Sequence, residues 1–379
     1  MSQLYEILIL GEPDKTLLSG LEKQIKKLVS PFGLQLDKEI QWNVCPKIFI
    51  PNQKCPTIAI YFGGSNLIED HLAKLVQSML PILPLVSSLD KVSSEIPEIL
   101  RPLNCLSIKD NELERIATAA LECLGLLPQQ RRVFLSYKRD EAKEAALQLF
   151  DEFSARLYDV FLDTHKVNPG KDFQTDLWHN LCNSDVLIML ETPDYFESRW
   201  TSAEFGRALA KDIAIFNIKW PKIKTSPRTA TANHLDLIDE NLDELSGRLS
   251  DTTINKICQK LETIRGESHA IRQLQMLTHL QLAVEKVGGK FLGLGTRFTA
   301  HIELKDERKL KLLSTMGVPD AVTMHAALLN NENDNVGVAF DPIGLDPDWL
   351  KHLDWLEKNI KPAKWLKSTE AAWQLADWE

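Results

Sequence analysis

Several features are scarce or missing in this 379-residue chain, and each absence narrows what it can be. Cysteine is sparse, with Cys45, Cys55, Cys105, Cys123, Cys182 and Cys258 widely spaced and none in a Cys-x-x-Cys pair. A chain of this length builds a core without disulfides, so these read as small thiols rather than a disulfide framework or a zinc site. His301 and His325 are too separated for a local metal motif, and His234, His269 and His352 form none with neighbouring residues, so no metal site is expected. There is no apolar run of about 18 residues, which argues against a membrane span. The start of the chain lacks a basic stretch followed by an apolar one, so no signal peptide is expected and a cytoplasmic location is the default. Positive charge is not in excess. The formal net charge is -9, so no general field draws the chain to nucleic acid or anionic lipid. No Gly-x-Ser-x-Gly elbow occurs, which leaves a serine-hydrolase triad unsupported. Gly289, Gly293 and Gly295 precede Thr296-Arg-Phe and do not open a helix after a strand. They suggest a tight turn, not a dinucleotide fingerprint.

What is present is a repeated alternation of short apolar runs and amphipathic stretches. At roughly 150 residues per domain the length suggests two or three domains. Residues 1–127 read as an α/β unit with a parallel sheet. Tyr5–Gly11 and Thr57–Phe62 are strands, a helix capped by Thr16 runs to about Val29, and another closes the unit between Asn111 and Leu124. Ile82–Val86 is a third strand, but Pro84 argues against a central position for it or demands a bulge. Pro128 and the polar residues after it mark a boundary.

A second βα rhythm occupies 131–265. Strands are expected at Val133–Ser136, Tyr158–Leu162, Asp185–Leu190 and Ile213–Ile218. Helices are expected at Ala142–Leu157, Asp172–Cys182, Thr201–Ala210 and Thr253–Ile264. A long polar connection follows Trp220-Pro221, and a fifth strand is uncertain. Right-handed crossovers would make this a doubly wound sheet with its ligand edge at the strand ends. Residues 266–379 read as an α+β domain with a helix over Ala270–Val287. Asn330–Asn335 is a polar turn cluster. Trp349, Trp355, Trp365, Trp373 and Trp378 need somewhere to bury their faces, in a helical cap or an oligomer contact.

Arg132-Val-Phe-Leu-Ser-Tyr-Lys-Arg-Asp140, Phe161-Leu-Asp-Thr164 with the loop to Lys171-Asp172-Phe173, and Ser184-Asp-Val-Leu-Ile-Met-Leu190 stand in order along the chain. Thr192-Pro-Asp-Tyr195, Ser198-Arg-Trp200 and Ala203-Glu-Phe205 follow. Together they resemble the Toll/interleukin-1 receptor (TIR) family, in its prokaryotic NAD+-cleaving form. Many members carry cysteine after the tryptophan, where this chain has Thr201. The resemblance implies a flavodoxin-like doubly wound parallel sheet in which Glu204 is the catalytic carboxylate of NAD+ cleavage. It further implies Ser136, Tyr137, Lys138, Asp163, Lys171, Phe173, Ser198 and Trp200 as residues near the nucleotide. NAD+ would be a substrate, with no prosthetic group. The products would be nicotinamide and ADP-ribose, or a cyclic isomer.

The same resemblance implies activation by self-association through TIR–TIR contacts, an unidentified activating ligand or protein, and a role as a bacterial antiphage effector. Neither nucleic acid nor membrane is expected as a partner. A plainer reading stands beside each residue. An isolated glutamate on a helix is usually a solvated carboxylate, Trp200 can simply pack its helix on the sheet, and Asp163 and Lys171 can be ordinary surface charge. The rival for the whole domain is a scaffold that binds other TIR domains without chemistry. The 1–127 unit is similar to a degenerate TIR-like or receiver-like fold lacking any Trp-x-x-x-Glu segment, which suits a sensing or docking partner.

Overall fold

The computed structural model describes residues 3–64, 69–108, 113–162, 173–224, 226–329, 335–360 and 363–378. Backbone contacts divide the chain into two compact units. One comprises 1–127, 270–342 and 348–379, and the other 128–269 with 343–347.

In the first unit, residues 1–127 contribute β1 (Tyr5–Gly11), α1 (Lys15–Val29), β2 (Ile40–Val44), β3 (Thr57–Phe62), α2 (Glu69–Gln77), β4 (Ile82–Val86), the short α3 (Val92–Glu95), β5 (Leu106–Ser107) and α4 (Leu113–Cys123). The strands are all parallel in the order β2-β1-β3-β4-β5. All seven residues of β1 are buried, as expected when helices cover both faces of a parallel sheet. Alternation then sorts them. Ile7 and Ile9 face the α1 and α4 residues Leu21, Ile25 and Ala120, while Leu8 and Leu10 face Leu72 and Leu75 of α2. The cap of α1 is Asp14, not Thr16, since its carboxylate accepts from the N–H groups of Thr16 at 2.8 Å and Leu17 at 3.2 Å.

Contrary to the expectation from Pro84, β4 lies inside the sheet, between β3 and β5, without a bulge in its register. The reason lies in which way each residue faces. The carbonyls of Pro81 and Leu85 serve β3, and that of Val86 serves Ile108 on the far side. Even-numbered positions therefore point toward β5. That strand is two residues long and pairs only with Leu85 and Val86, so no partner strand needs the N–H that Pro84 lacks.

The second unit holds β6 (Arg132–Tyr137), α5 (Arg139–Ala155), β7 (Asp159–Leu162), α6 (Phe173–Cys182), β8 (Val186–Glu191), α7 (Arg199–Ala210), β9 (Ala214–Lys219) and β10 (Asn233–Asp236). Its sheet is also entirely parallel, in the order β10-β9-β8-β6-β7. Counted by position in the chain this is 2-1-3-4-5, the flavodoxin-like doubly wound order, and it matches that of the first sheet. The polar connection after Trp220 does yield a fifth strand, β10, at the edge. One face carries α5 and the start of the next helix, and the other carries α6 and α7.

That next helix, α8 (Asp251–Lys286), is continuous over 36 residues, where two helices broken near Gly266 were expected. A helical glycine costs about 1 kcal/mol relative to alanine. Burial of Ile257, Leu261, Leu277, Leu280 and Val284 along the helix outweighs that. In the second unit, Arg131 and Arg265, both fully buried, meet Glu262. Arg131 pairs with it through two N–H bonds of 3.0 Å, and Arg265 approaches it at 3.3 Å. The Tyr158 hydroxyl also donates to Glu262, and burial together with that carboxylate holds the phenol well above its ordinary pKa.

The rest of the first unit is α+β. Strands β11 (Lys290–Leu294), β12 (Thr299–Glu303) and β13 (Lys309–Ser314) form an antiparallel meander. Helix α9 (Ala321–Leu328) and α10 (Pro347–Asn359) then lead to β14 (Asn335–Phe340) and β15 (Ala363–Lys367), which pair in parallel, and α11 (Ala371–Ala376) follows. The glycine-rich run is thus a strand with a bulge between Phe291 and Gly293, followed by a 3-10 turn at Thr296–Phe298. The tryptophans divide. Trp365, on a strand and not in a helical cap, and Trp378 are buried, whereas Trp355 and Trp373 are exposed. Of the Asn330–Asn335 cluster, 330–334 lie outside the described residues. All six cysteines are free thiols, and burial pushes those of Cys105 and Cys258 up to about 11 and Cys123 to about 12.

Candidate functional site

In a 2-1-3-4-5 sheet the chain winds outward in opposite directions from the first and third strands, leaving a crevice beyond their carboxyl ends. In the second unit those strands are β6 and β8. Strand β6 ends in Ser136 and Tyr137. Strand β8 ends at Glu191, and the segment after it carries Asp194 and Tyr195 before α7 begins.

Glu204 lies in the second turn of α7 and is only 5% exposed. It is therefore not a solvated helix carboxylate. The Ser136 hydroxyl donates to Glu204 Oε2, and the Tyr195 hydroxyl lies 2.7 Å from Ser136 Oγ. A serine hydroxyl has one proton, so with Glu204 ionised Tyr195 donates to Ser136 and Ser136 to Glu204. Burial, then the charge of Glu204, holds the Tyr195 phenol well above its ordinary pKa, which keeps its proton in place. Thr201, in the position where many members of the resembled family have cysteine, donates its hydroxyl to the Tyr195 carbonyl and lies 3.1 Å from that of Ser198. It ties the segment before α7 to the first turn of that helix. Glu191 is buried beside this cluster and accepts from the Asn217 side chain.

Among the other expected residues, Lys138 sits just past β6. Its ammonium is 2.9 Å from Glu141 and 3.2 Å from Asp194, and these hydrogen bonds, Glu141 first, raise its pKa. Burial raises the Glu141 carboxyl, but the nearby Thr192 hydroxyl, Lys138 and the Asp194 backbone outweigh it, leaving the group below its ordinary value. An anion approaching here would have to share Lys138 with two carboxylates. Tyr137 points to the other face of the sheet. It packs with Leu135, Ala142 and Ala145, so the structure does not bring its side chain to Glu204. Ser198 stands at the N-cap of α7. Trp200 is half-buried one turn before Glu204, with the Arg199 guanidinium 4.8 Å from its ring. Asp163 and Lys171 lie outside the described residues, and of Phe173 only its place at the start of α6 is described.

Sequence reasoning did not name Tyr195, Glu191, Glu141 or Asp194 as site residues. The signal for Tyr195 was available, since it closes the Thr192-Pro-Asp-Tyr195 motif three residues before the N-cap of α7. Its pairing with Ser136 spans 59 positions and exists only once the sheet has formed.

The family model for the TIR domain matches residues 133–249. The middle of this chain is a TIR domain. No curated protein matches the chain. Among solved structures, it is similar to a protein described as a two-component system response regulator/GGDEF domain protein, at 14% identity over 69% of this chain and 99% of the other, with a TM-score of 0.25. It is also similar to tagatose-6-phosphate ketose/aldose isomerase from Escherichia coli, at 12% identity over 73% of this chain and 82% of the other, with a TM-score of 0.19. At such scores neither likeness bears on fold or function. Among the described residues no group of His, Cys, Asp and Glu side chains is arranged to hold a metal, and no helix is long and apolar enough to cross a membrane. The TIR domain therefore presents a carboxylate, two hydroxyls and a lysine–carboxylate cluster around one crevice.

Proposed function

We propose that the TIR domain cleaves NAD+, with Glu204 as the catalytic carboxylate. The observation that carries this reading is the placement of Glu204 at the β6/β8 crevice, held by the Ser136 hydroxyl and shielded from water. The bond between C1′ of the ribose and the pyridinium nitrogen breaks, and its electron pair goes to the nitrogen, so nicotinamide leaves neutral. Positive charge develops on the ribose as an oxocarbenium ion. A fixed carboxylate in a low-dielectric site stabilises that charge far better than one in water. Water then adds at C1′ and releases a proton, giving ADP-ribose, or an adenine nitrogen of the same molecule adds and gives a cyclic isomer. Because Glu204 is covered in this conformation, the ribose gains access when the side chain and the residues over it shift, which fits activation by self-association through TIR–TIR contacts. In this reading the protein is a cytoplasmic enzyme of antiviral defence that uses NAD+ as substrate and needs no prosthetic group.

The second reading is a scaffold acting through TIR–TIR contact alone. The observation favouring it is the same burial, since a carboxylate bonded to a core hydroxyl also serves stability. Purified protein at several concentrations, assayed for nicotinamide release beside Glu204→Gln, separates them. Release that rises with concentration and is lost in a folded Glu204→Gln protein supports the enzyme. No release from the native chain, even when oligomerisation is forced by a fused multimer, leaves the scaffold.

A further inference from the structure

The first unit contains a cavity of about 720 Å³, well within the size range that encloses a small organic ligand. None of its lining residues belongs to the TIR domain. Three cations line it, Arg115 on α4, Arg297 in the turn after β11 and Lys311 on β13, against two carboxylates, Glu114 and Glu122. This gathers positive charge in a chain whose formal net charge is -9. Two of the cations are held in position, as Arg297 Nε donates to Glu122 at 3.0 Å and Lys311 Nζ donates to Asn104 at 3.3 Å. The turn is unusual as well. Arg297 and Phe298 have φ of 55° and 52°, two consecutive residues with side chains in the left-handed region. Such backbone persists only where its surroundings enforce it, and it concentrates at ligand clamps. Leu106 and Leu313 give the same cavity an apolar wall.

Cationic groups beside an apolar wall suit a molecule with an anionic end and an organic body. Guanidinium groups match phosphate oxygens in geometry, and an ammonium adds a point charge. The volume exceeds what a free phosphate needs. We propose that this cavity binds a nucleoside diphosphate or a molecule of the same build, its phosphates meeting Arg115, Arg297 and Lys311 and its organic body lying on Leu106 and Leu313.

The test is titration calorimetry of the full chain with ADP, with adenosine as the uncharged control. ADP is expected to bind saturably, and adenosine at least about tenfold more weakly. Lys311→Gln and Arg115→Gln should each weaken ADP by about tenfold, the loss of one charged hydrogen bond. Thermal unfolding of both variants checks that they fold. Lys138→Gln, in the TIR crevice, tests whether the ADP is held there instead. Absence of ADP binding at millimolar concentration overturns the proposal. So does equal binding of adenosine, or binding that survives Lys311→Gln and Arg115→Gln but is lost in Lys138→Gln.

Discussion

The two parallel sheets of this chain, β1–β5 and β6–β10, have the same strand order and the same doubly wound build, yet their crevices differ. In the TIR sheet the first strand ends in a serine whose hydroxyl reaches a buried glutamate from the helix after the third. In the N-terminal sheet the first strand ends in Gly11, followed by exposed Glu12, and the third runs into Gly63 and Gly64. A side chain at Gly63 would meet the Leu85 carbonyl at 2.8 Å, so that position is closed to a functional group. The N-terminal sheet does hold a serine–carboxylate pair, but it lies after β4. Glu95 accepts from the Ser87 hydroxyl at 2.5 Å and its N–H at 2.7 Å, and those bonds hold its carboxyl below its ordinary pKa. The lesson is that strand order supplies a crevice and nothing more. The chemistry depends on which side chains the two flanking strands happen to deliver there.

Four measurements break or sharpen this contrast. The largest effect is expected from Glu204→Gln, which should lower nicotinamide release by about 100-fold or more, on the scale of losing a main electrostatic contribution to the transition state. Glu12→Gln, at the corresponding edge of the other sheet, should leave the rate within about twofold. Equal losses from both would mean that the two crevices are not functionally distinct. Next in size is Glu262→Ala. It removes the carboxylate that the buried Arg131 and Arg265 share, leaving Arg265 beside Asp185 at 3.5 Å, and should destabilise the TIR unit by about 3 kcal/mol in denaturant unfolding. An effect below about 1 kcal/mol would show that water replaces the lost carboxylate.

Ser136→Ala should cost about 1–3 kcal/mol, because it leaves Glu204 and Tyr195 without their shared hydroxyl. The proposed catalytic role predicts that a larger share of the loss appears in kcat than in thermal stability, and the reverse split would favour the scaffold. The smallest effect belongs to the N-terminal sheet. Asp14→Ala should lower thermal stability slightly at neutral pH. Its carboxyl is held below the ordinary 3.8, first by the Leu17 N–H and then by that of Thr16. A depressed folded-state pKa contributes stability above the unfolded value and loses it as pH falls through the folded one. The difference between variant and parent should therefore shrink in melts as the pH is taken progressively below 3.8. A difference that persisted there would mean the cap acts through something other than charge.

Much of this was legible before folding. Apolar runs such as Tyr5–Gly11 and Asp185–Leu190 announce buried strands, because a parallel sheet covered on both faces needs apolar residues at successive positions. The TIR segment that carries Glu204 was legible through its motifs. Pro84 misled because its effect depends on which side of the strand its nitrogen faces, and the gap expected between the helices ending at Ile264 and starting at Ala270 is filled because packing along one continuous helix outweighs the local preference of Gly266. Tyr137 adjoins Ser136 but packs into the core on the other face of the sheet, since neighbours on a strand point in opposite directions.

The sequence by itself determined the alternation of strands and helices and the TIR segment, because these rest on local periodicity and on residues close in the chain. Tertiary structure alone decided that Glu204 is buried against Ser136 and Tyr195, that Lys138 is shared by Glu141 and Asp194, and that Arg115, Arg297 and Lys311 line one cavity. The decisive pairings, such as Ser136 with Glu204 and Lys138 with Asp194, join residues far apart in sequence. Their energy appears only after the sheets and helices have packed and water has been excluded from between them.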